Sequence, residues 1–335
     1  MNVEPKRVQA LAEAILVKHG APREHARLQV DLLLEAQMRG VASHGLLRLQ
    51  RIVERIRNGV TDTRVTGVHE WASPNFLRVD GQRGFGPVVA MAALEAIAPR
   101  AAQNEVAVTA IVNNNHLGML AWYGERVAAM GFIVIGATTS EALVHPWGGR
   151  QAMLGTNPLM IAVPAAPAPL VLDMATSLVA MGKIHDYANR GEKLPLGWAL
   201  DANGDPTTDA VAAKKGAITP FGGAKGYALG VALEVLVTAL TGAAIGTAVK
   251  GTLDSENVCN KGDLFIVISP HSGAVPLVSA YLEDLRASKP AQEDEPVRVP
   301  GEHARLLRAQ SVAEGVPIDD DLWRSLLKME ELALS

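Results

Sequence analysis

The chain has 335 residues, 48% of them hydrophobic, with 31 basic against 35 acidic side chains and a formal charge of −4. That length allows about two domains and a sizeable buried core, which excludes a disordered chain. There is no basic excess to neutralise a nucleic-acid backbone, so DNA and RNA are excluded as main partners.

The N-terminal part reads as helix by its period. Val8, Leu11, Ala12, Ile15 and Leu16 share one face, and Gly20 is placed to end that helix. Pro22 opens a second helix, with Ala26, Val30, Leu33 and Leu34 on one side as far as Gly40. A third is expected from Ser43 to about Asn58, with Leu49, Ile52, Val53 and Ile56 as its apolar stripe. Its Arg48, Arg51 and Arg55 form a separate face, expected to be solvated.

From about residue 70 the pattern changes. Strands are expected at Phe76–Val79, Val106–Val112, Phe132–Thr138, Leu159–Val163, Leu170–Asp173 and Leu264–Ser269. Helices are expected between them at Pro87–Ala102, Leu117–Met130, Leu178–Asn189, Tyr227–Leu240 and Ala274–Ala287, which implies a layered α/β domain. Tyr227 to Val249 is almost long and apolar enough to span a bilayer, but Glu234 lies inside it and glycines thin it, so it reads as a buried soluble helix and no membrane partner is expected. After Pro290–Pro300, helices near Glu302–Ala313 and Asp321–Leu332 close the chain, and the terminal helices are expected to pack together beside the α/β body. The lone cysteine, Cys259, cannot close an internal disulfide, and no basic start with an apolar run marks a secretory signal. The expected compartment is the cytoplasm.

No dinucleotide fingerprint, P-loop, zinc motif or nucleophile elbow occurs, so ordinary Rossmann, nucleotide-triphosphatase, metal and hydrolase readings lose their support. In Ser43-His44-Gly45-Leu46-Leu47-Arg48 the imidazole and the guanidinium stand four residues apart, on one face of a helix. A histidine exchanges protons near neutrality and an arginine grips a carboxylate by two points, which is the equipment for acting on a small acid. The helix N-terminus and Arg48 are expected to keep His44 neutral. In the competing reading Ser43 is an N-cap and the other two are surface residues. His116 follows a strand in Asn113-Asn114-Asn115-His116-Leu117-Gly118, where loops deliver functional side chains; a hydrogen-bonded loop histidine would look the same. Thr156 stands in a rigid turn, Asp173 ends a strand, Ser177 reads as the cap of a helix bearing Lys183, and Lys225 follows Gly222-Gly223 before a helix as a phosphate cradle would. Each could equally be turn construction.

Together these pieces resemble the malate/L-lactate dehydrogenase family over nearly the whole chain. They are Ser43-His44-Gly45 with Arg48, His116-Leu117-Gly118, Pro146-Trp147-Gly148-Gly149, Gly155-Thr156-Asn157-Pro158, Asp173-Met174-Ala175-Thr176-Ser177, Gly182-Lys183, Pro195-Leu196-Gly197-Trp198-Ala199, Lys225-Gly226-Tyr227 and Pro300-Gly301-Glu302. The resemblance implies an α/β fold (mixed α+β): a three-layer domain on a non-Rossmann mixed sheet, residues 71–289, plus a helical domain from 1–70 with 290–335. It also implies a homodimer with sites near the subunit contact. The implied reaction is hydride transfer between NAD or NADP, with NAD favoured, and a small 2-hydroxy or 2-oxo acid; cyclic-imine reduction is the alternative. Lys183 leans toward the acids, since the imine reductases tend to carry an acidic residue there. By resemblance His44, polarised through Ser43, is the acid/base, with His116 as the rival for that role. Arg48 holds the substrate carboxylate and Thr156 lies near the substrate. His116, Leu117, Gly118, Met119, Leu120, Asp173, Met174, Ala175, Lys225, Pro300, Gly301 and Glu302 line the cofactor, and no metal is implied.

Overall fold

The computed structural model describes residues 1–332. In chain order they form β1 (Asn2–Val3), α1 (Pro5–Lys18), α2 (Arg23–Met38), a single tight turn at Ala42–His44, α3 (Arg48–Arg57), β2 (Val68–Ser73), β3 (Phe76–Asp80), α4 (Gly86–Asn104), β4 (Val106–Val112), α5 (Ala121–Ala129), β5 (Ile133–Thr138), β6 (Leu159–Val163) and β7 (Leu170–Met174). There follow α6 (Met181–Arg190), β8 (Ala199–Leu200), β9 (Pro206–Thr207), α7 (Ala210–Ala213), β10 (Ala217–Ile218), α8 (Ala224–Thr241), β11 (Asp263–Ile268), α9 (Ala274–Ala287), α10 (Glu302–Glu314), β12 (Val316–Pro317) and α11 (Asp320–Leu332).

Seven strands share one sheet in the order β2-β3-β4-β11-β5-β6-β7. Only β3 and β4 run parallel; every other neighbouring pair is antiparallel. The fold is α/β on a mixed sheet, unlike the mostly parallel Rossmann sheet. Side chains of β11 alternate between two faces, as the pleat requires. Phe265 and Val267 join a core with α4 and α5, whereas Leu264 and Ile266 pack with Leu233 and Val237 of α8. Those two helical sides and the sheet make three layers.

The terminal helices share a further core, in which Val8 and Leu16 of α1, Leu49 of α3 and Trp323 and Leu326 of α11 are buried together. β1 pairs with β12 across the same region. Glu35 of α2 accepts hydrogen bonds from Arg39 and Arg308, and Arg39 reaches on to Glu125, so ion pairs tie α2 to α5 and α10. A separate core lies by the small sheet β10-β8-β9, with Val144, Ile184, Ala199 and Ile218 buried.

Several boundaries differ from the sequence expectations. The third helix starts at Arg48, not Ser43, because Gly45 takes an extended conformation beside Gln37, where a Cβ would press on the glutamine side chain. Ser43 is therefore not a helix cap. Residues 117–120 are not helical either: Gly118 has φ +72°, which no right-handed helix accommodates, and α5 begins at Ala121. Ser177 caps nothing; its hydroxyl bonds the Val179 carbonyl and α6 starts at Met181, so Lys183 sits in the first turn. The apolar helix α8 is buried on one side only, through Gly226, Gly230, Leu233, Glu234 and Val237, while Val235 and Leu236 are exposed. Among the described residues it is the one helix with the length and hydropathy to cross a membrane. Arg55, expected in solvent, is 6% exposed.

Candidate functional site

The tight turn and the start of α3 build one side of a cleft. Ser43 Oγ lies 2.9 Å from His44 Nδ1. Arg48 Nε donates to the Ser43 carbonyl at 2.7 Å, which fixes the guanidinium and leaves both terminal nitrogens without a partner among the described residues. On the other side, the His116 ring stacks against His44 with centroids 5.3 Å apart and planes 29° from parallel. Gly118 donates its backbone N–H to His116 Nδ1 at 3.1 Å. Arg48, Arg51, Arg55, Asn115, His116 and Thr252 line one cavity, and among the described residues no acidic side chain contributes to its wall.

This setting keeps both imidazoles neutral. Burial, then the Arg48 charge, lowers the His44 pKa to about 4. Burial, with Arg48 next, holds His116 well below its ordinary value. The direction expected for His44 and the part expected of Arg48 are both found, but His44 lies in the turn before α3, so desolvation takes the place of the expected helix N-terminus. Burial and the neighbouring Arg51 charge bring Arg48 down to about 10, which still leaves it cationic at neutrality.

Two adjacent asparagines hold the His116 loop. Asn114 Nδ2 donates to Asp263 Oδ2 at 3.1 Å, and Asp263 is ion-paired with the buried Lys261 just before β11. Asn115 Oδ1 accepts from Arg55 Nε at 3.1 Å and Nη2 at 2.9 Å, and its Nδ2 donates to the carbonyls of Arg83 and Gly84. Arg55 therefore links the helix bearing Arg48 to the loop bearing His116.

The segments expected to line a cofactor meet at one edge of the sheet. Asp173 Oδ2 accepts the Ala121 N–H at 2.7 Å, joining the end of β7 to the end of the 116–120 segment. Asp173 is exposed at the end of β7; partial desolvation of its carboxyl raises the pKa to about 6, against the lowering effect of the Ala121 and Leu120 amides. Val171 donates to the Pro300 carbonyl, which brings Pro300, Gly301 and Glu302 alongside the same strand. Glu302 is bound to Arg286 and to the Val299 N–H. Met174 and Ala175 continue from β7 toward Thr176, whose N–H and hydroxyl both bond the Thr156 carbonyl. Lys225 is exposed in the first turn of α8, whose N-terminus has no side-chain cap. The loop before it is tied to the same region by the Phe221 N–H on the Thr176 carbonyl.

Sequence reasoning overlooked what Glu234 does. It accepts from Asn157 Nδ2 at 2.6 Å, from Gly155 N–H and from Gly246 N–H, so it fixes the turn that presents Thr156. An acid within an apolar run was the available signal. The Lys261–Asp263 pair and the Arg55–Asn115 bridge left none, since their partners lie far apart in the chain or read as ordinary strand-end polarity.

The sheet order excludes a Rossmann domain, so the cleft belongs to a different class of α/β protein, one that brings two imidazoles together with an arginine whose terminal nitrogens are free among the described residues. The chain belongs to the malate/L-lactate dehydrogenase family, whose model matches residues 3–327. It is 36% identical to the L-sulfolactate dehydrogenase of Methanocaldococcus jannaschii, covering 100% of this chain and 98% of that one. It is 33% identical to the ureidoglycolate dehydrogenase (NAD(+)) of Escherichia coli K12, over 98% of this chain and 95% of the relative. The crystal structure of a dehydrogenase from Sinorhizobium meliloti superposes with a TM-score of 0.96 at 48% identity, covering 98% of each chain. The curated relatives are hydroxy-acid dehydrogenases, some named for NAD(+) and some for NADP(+), and the delta1-piperideine-2-carboxylate reductase of Pseudomonas syringae shares the fold at 31% identity with a TM-score of 0.88.

Proposed function

We propose that the protein catalyses reversible hydride transfer between NAD(P) and C2 of a small 2-hydroxy or 2-oxo acid, acting as a homodimer. One observation carries this reading: His116 and the free fork of Arg48 line a single cavity, with His44 stacked on His116. The two terminal nitrogens of Arg48 match the two oxygens of a carboxylate, and that grip orients C2 toward the imidazoles. The Gly118 N–H occupies His116 Nδ1, so the neutral ring carries its proton on Nε2 and donates to the substrate oxygen. Ser43 Oγ can accept from His44 Nδ1; that tautomer leaves His44 Nε2 bare to take the hydroxyl proton in oxidation and to return it in reduction. Thr156, with Ser140 Oγ 3.3 Å from its hydroxyl, is assigned to the substrate side.

The chain has groups that suit a dinucleotide. Lys225 and the uncapped amides of α8 fit a phosphate. His116 to Leu120, Asp173 to Ala175 and Pro300 to Glu302 supply backbone and carboxylate along the neighbouring edge. When bound, the nicotinamide accepts or supplies the hydride. Relatives named for NAD(+) and for NADP(+) both support a nicotinamide dinucleotide, and NAD is the form proposed. For the homodimer, support comes from exposed apolar side chains, Leu277 and Tyr281 of α9, 74% and 61% exposed, and Val235 and Leu236 of α8.

The test is a panel of 2-oxo acids and cyclic imine carboxylates offered with NADH and with NADPH, followed by nicotinamide absorbance. Turnover of the 2-oxo acids is expected. Turnover confined to the imines, or nucleotide binding without any turnover, overturns the reading.

A further inference from the structure

Asp263 opens β11, the middle strand of the seven, opposite Ile111 of β4 and Thr138 of β5, and is fully buried together with Lys261 and Asn114. Its carboxylate is used in full. Oδ1 accepts from the Lys261 ammonium and from the Thr138 hydroxyl at 2.5 Å, which leaves Oδ2 for Asn114 Nδ2 at 3.1 Å. A buried ion pair adds little stability over apolar side chains of the same volume. This one fixes the direction in which an acceptor points. Asn114 is turned by that acceptor alone, since its own Oδ1 is buried without a partner among the described residues.

Two residues further on, the His116 ring makes one hydrogen bond among the described residues, with the Gly118 N–H of its own loop. The backbone of this segment lies directly on glycines. A Cβ on Gly81 would come within 2.9 Å of Asn114 Cβ, and one on Gly86 within 2.1 Å of the His116 carbonyl oxygen. Asn113 leaves β4 with φ +53°, and the next two side chains take separate anchors, Asn114 on the sheet and Asn115 on Arg55 of α3. We infer that Lys261 and Asp263 are positioning residues for His116. Through Asn114 they hold the loop at the end of β4, which keeps the Gly118 N–H on Nδ1 and the ring proton on Nε2 toward the substrate. The inference rests on the hydroxy-acid dehydrogenase reading for the reaction, and on the structure alone for the ring.

The experiment removes the ion pair in two ways. Lys261→Met with Asp263→Asn discards both charges and keeps an acceptor for Asn114; Lys261→Met with Asp263→Leu discards the acceptor as well. Asn114→Leu takes away the donor at similar size, and carries the test if the second double variant fails to fold. Ring-nitrogen NMR of labelled histidine, with the His116 signals identified by their loss in His116→Gln, reads the tautomer without any reaction. Steady-state kinetics with a 2-oxo acid and reduced cofactor separates kcat from KM. The acceptor-bearing variant is expected to keep the wild-type tautomer and a kcat close to that of the wild type. The acceptor-free variant and Asn114→Leu should show mixed tautomers and a kcat lower by about 10- to 100-fold, with KM for the acid changed much less because Arg48 stands on α3. If the variants with and without the acceptor share one tautomer and one kcat, the inference is overturned and the pair is structural only. A tautomer that follows the acceptor, in a protein whose wild type turns over no acid, upholds the inference and overturns the redox reading.

Discussion

At the scale of single residues, the cleft is a device for keeping imidazoles neutral. The His44 pKa is lowered to about 4 and that of His116 lies well below its ordinary value, because both half-buried rings are desolvated beside Arg48. A lowered pKa means that the base is ready at neutral pH, so oxidation needs no deprotonation step first. The acid limb of kcat/KM for oxidation should fall as pH drops through about 4, not near the 6.5 of a free imidazole. Arg48→Gln removes one of the two lowering influences and should move that limb upward. The limb should disappear in His44→Ala and persist in a slower His116→Ala, as measured by single-turnover hydride transfer across pH. The opposite assignment of the limb would exchange the roles of the two histidines.

At the scale of elements, the Arg55–Asn115 bridge sets the distance between α3 and the His116 loop. Asn115→Ala leaves Nε and Nη2 of a buried guanidinium short of a partner, while the Arg83 and Gly84 carbonyls keep the Asp62 and residue-115 N–H groups, a loss on the order of 2 kcal/mol in urea unfolding. The same change should lower kcat as well as raise KM, because it loosens the chemistry against the anion clamp; a variant that loses stability with unaltered kinetics would make the bridge purely structural. Elements were legible where one local pattern determines them. β4 and β6 have the expected bounds, and all five stripe residues expected in α1 are buried. β2 escaped notice because all six of its residues are exposed, so no alternation marks it, and β8 to β10 are only two residues each. The start of α3 was misread because Ser43 is a good cap by type, whereas Gly45 and its contact with Gln37 decide the geometry. The site histidines and Arg48 stood out by type and spacing. Arg55 did not, since its partner is sixty positions away.

At the scale of the whole molecule, the open apolar sides of α8 and α9 predict self-association. Sedimentation should give a dimer for the wild type, and Leu277→Glu should shift it toward monomer; a wild-type monomer at working concentration would remove that reading. The sheet order has another bearing, on how the protein is made. β11 lies between β4 and β5, although more than a hundred residues separate it from either in the sequence. During translation the strands on both sides of that gap emerge first and wait with unpaired inner edges, and the piece that unites them is threaded between them late. Until it arrives, each half presents bare strand edges to other nascent chains, so holdase chaperones should matter more for producing this protein than for one whose strands pair in the order they leave the ribosome.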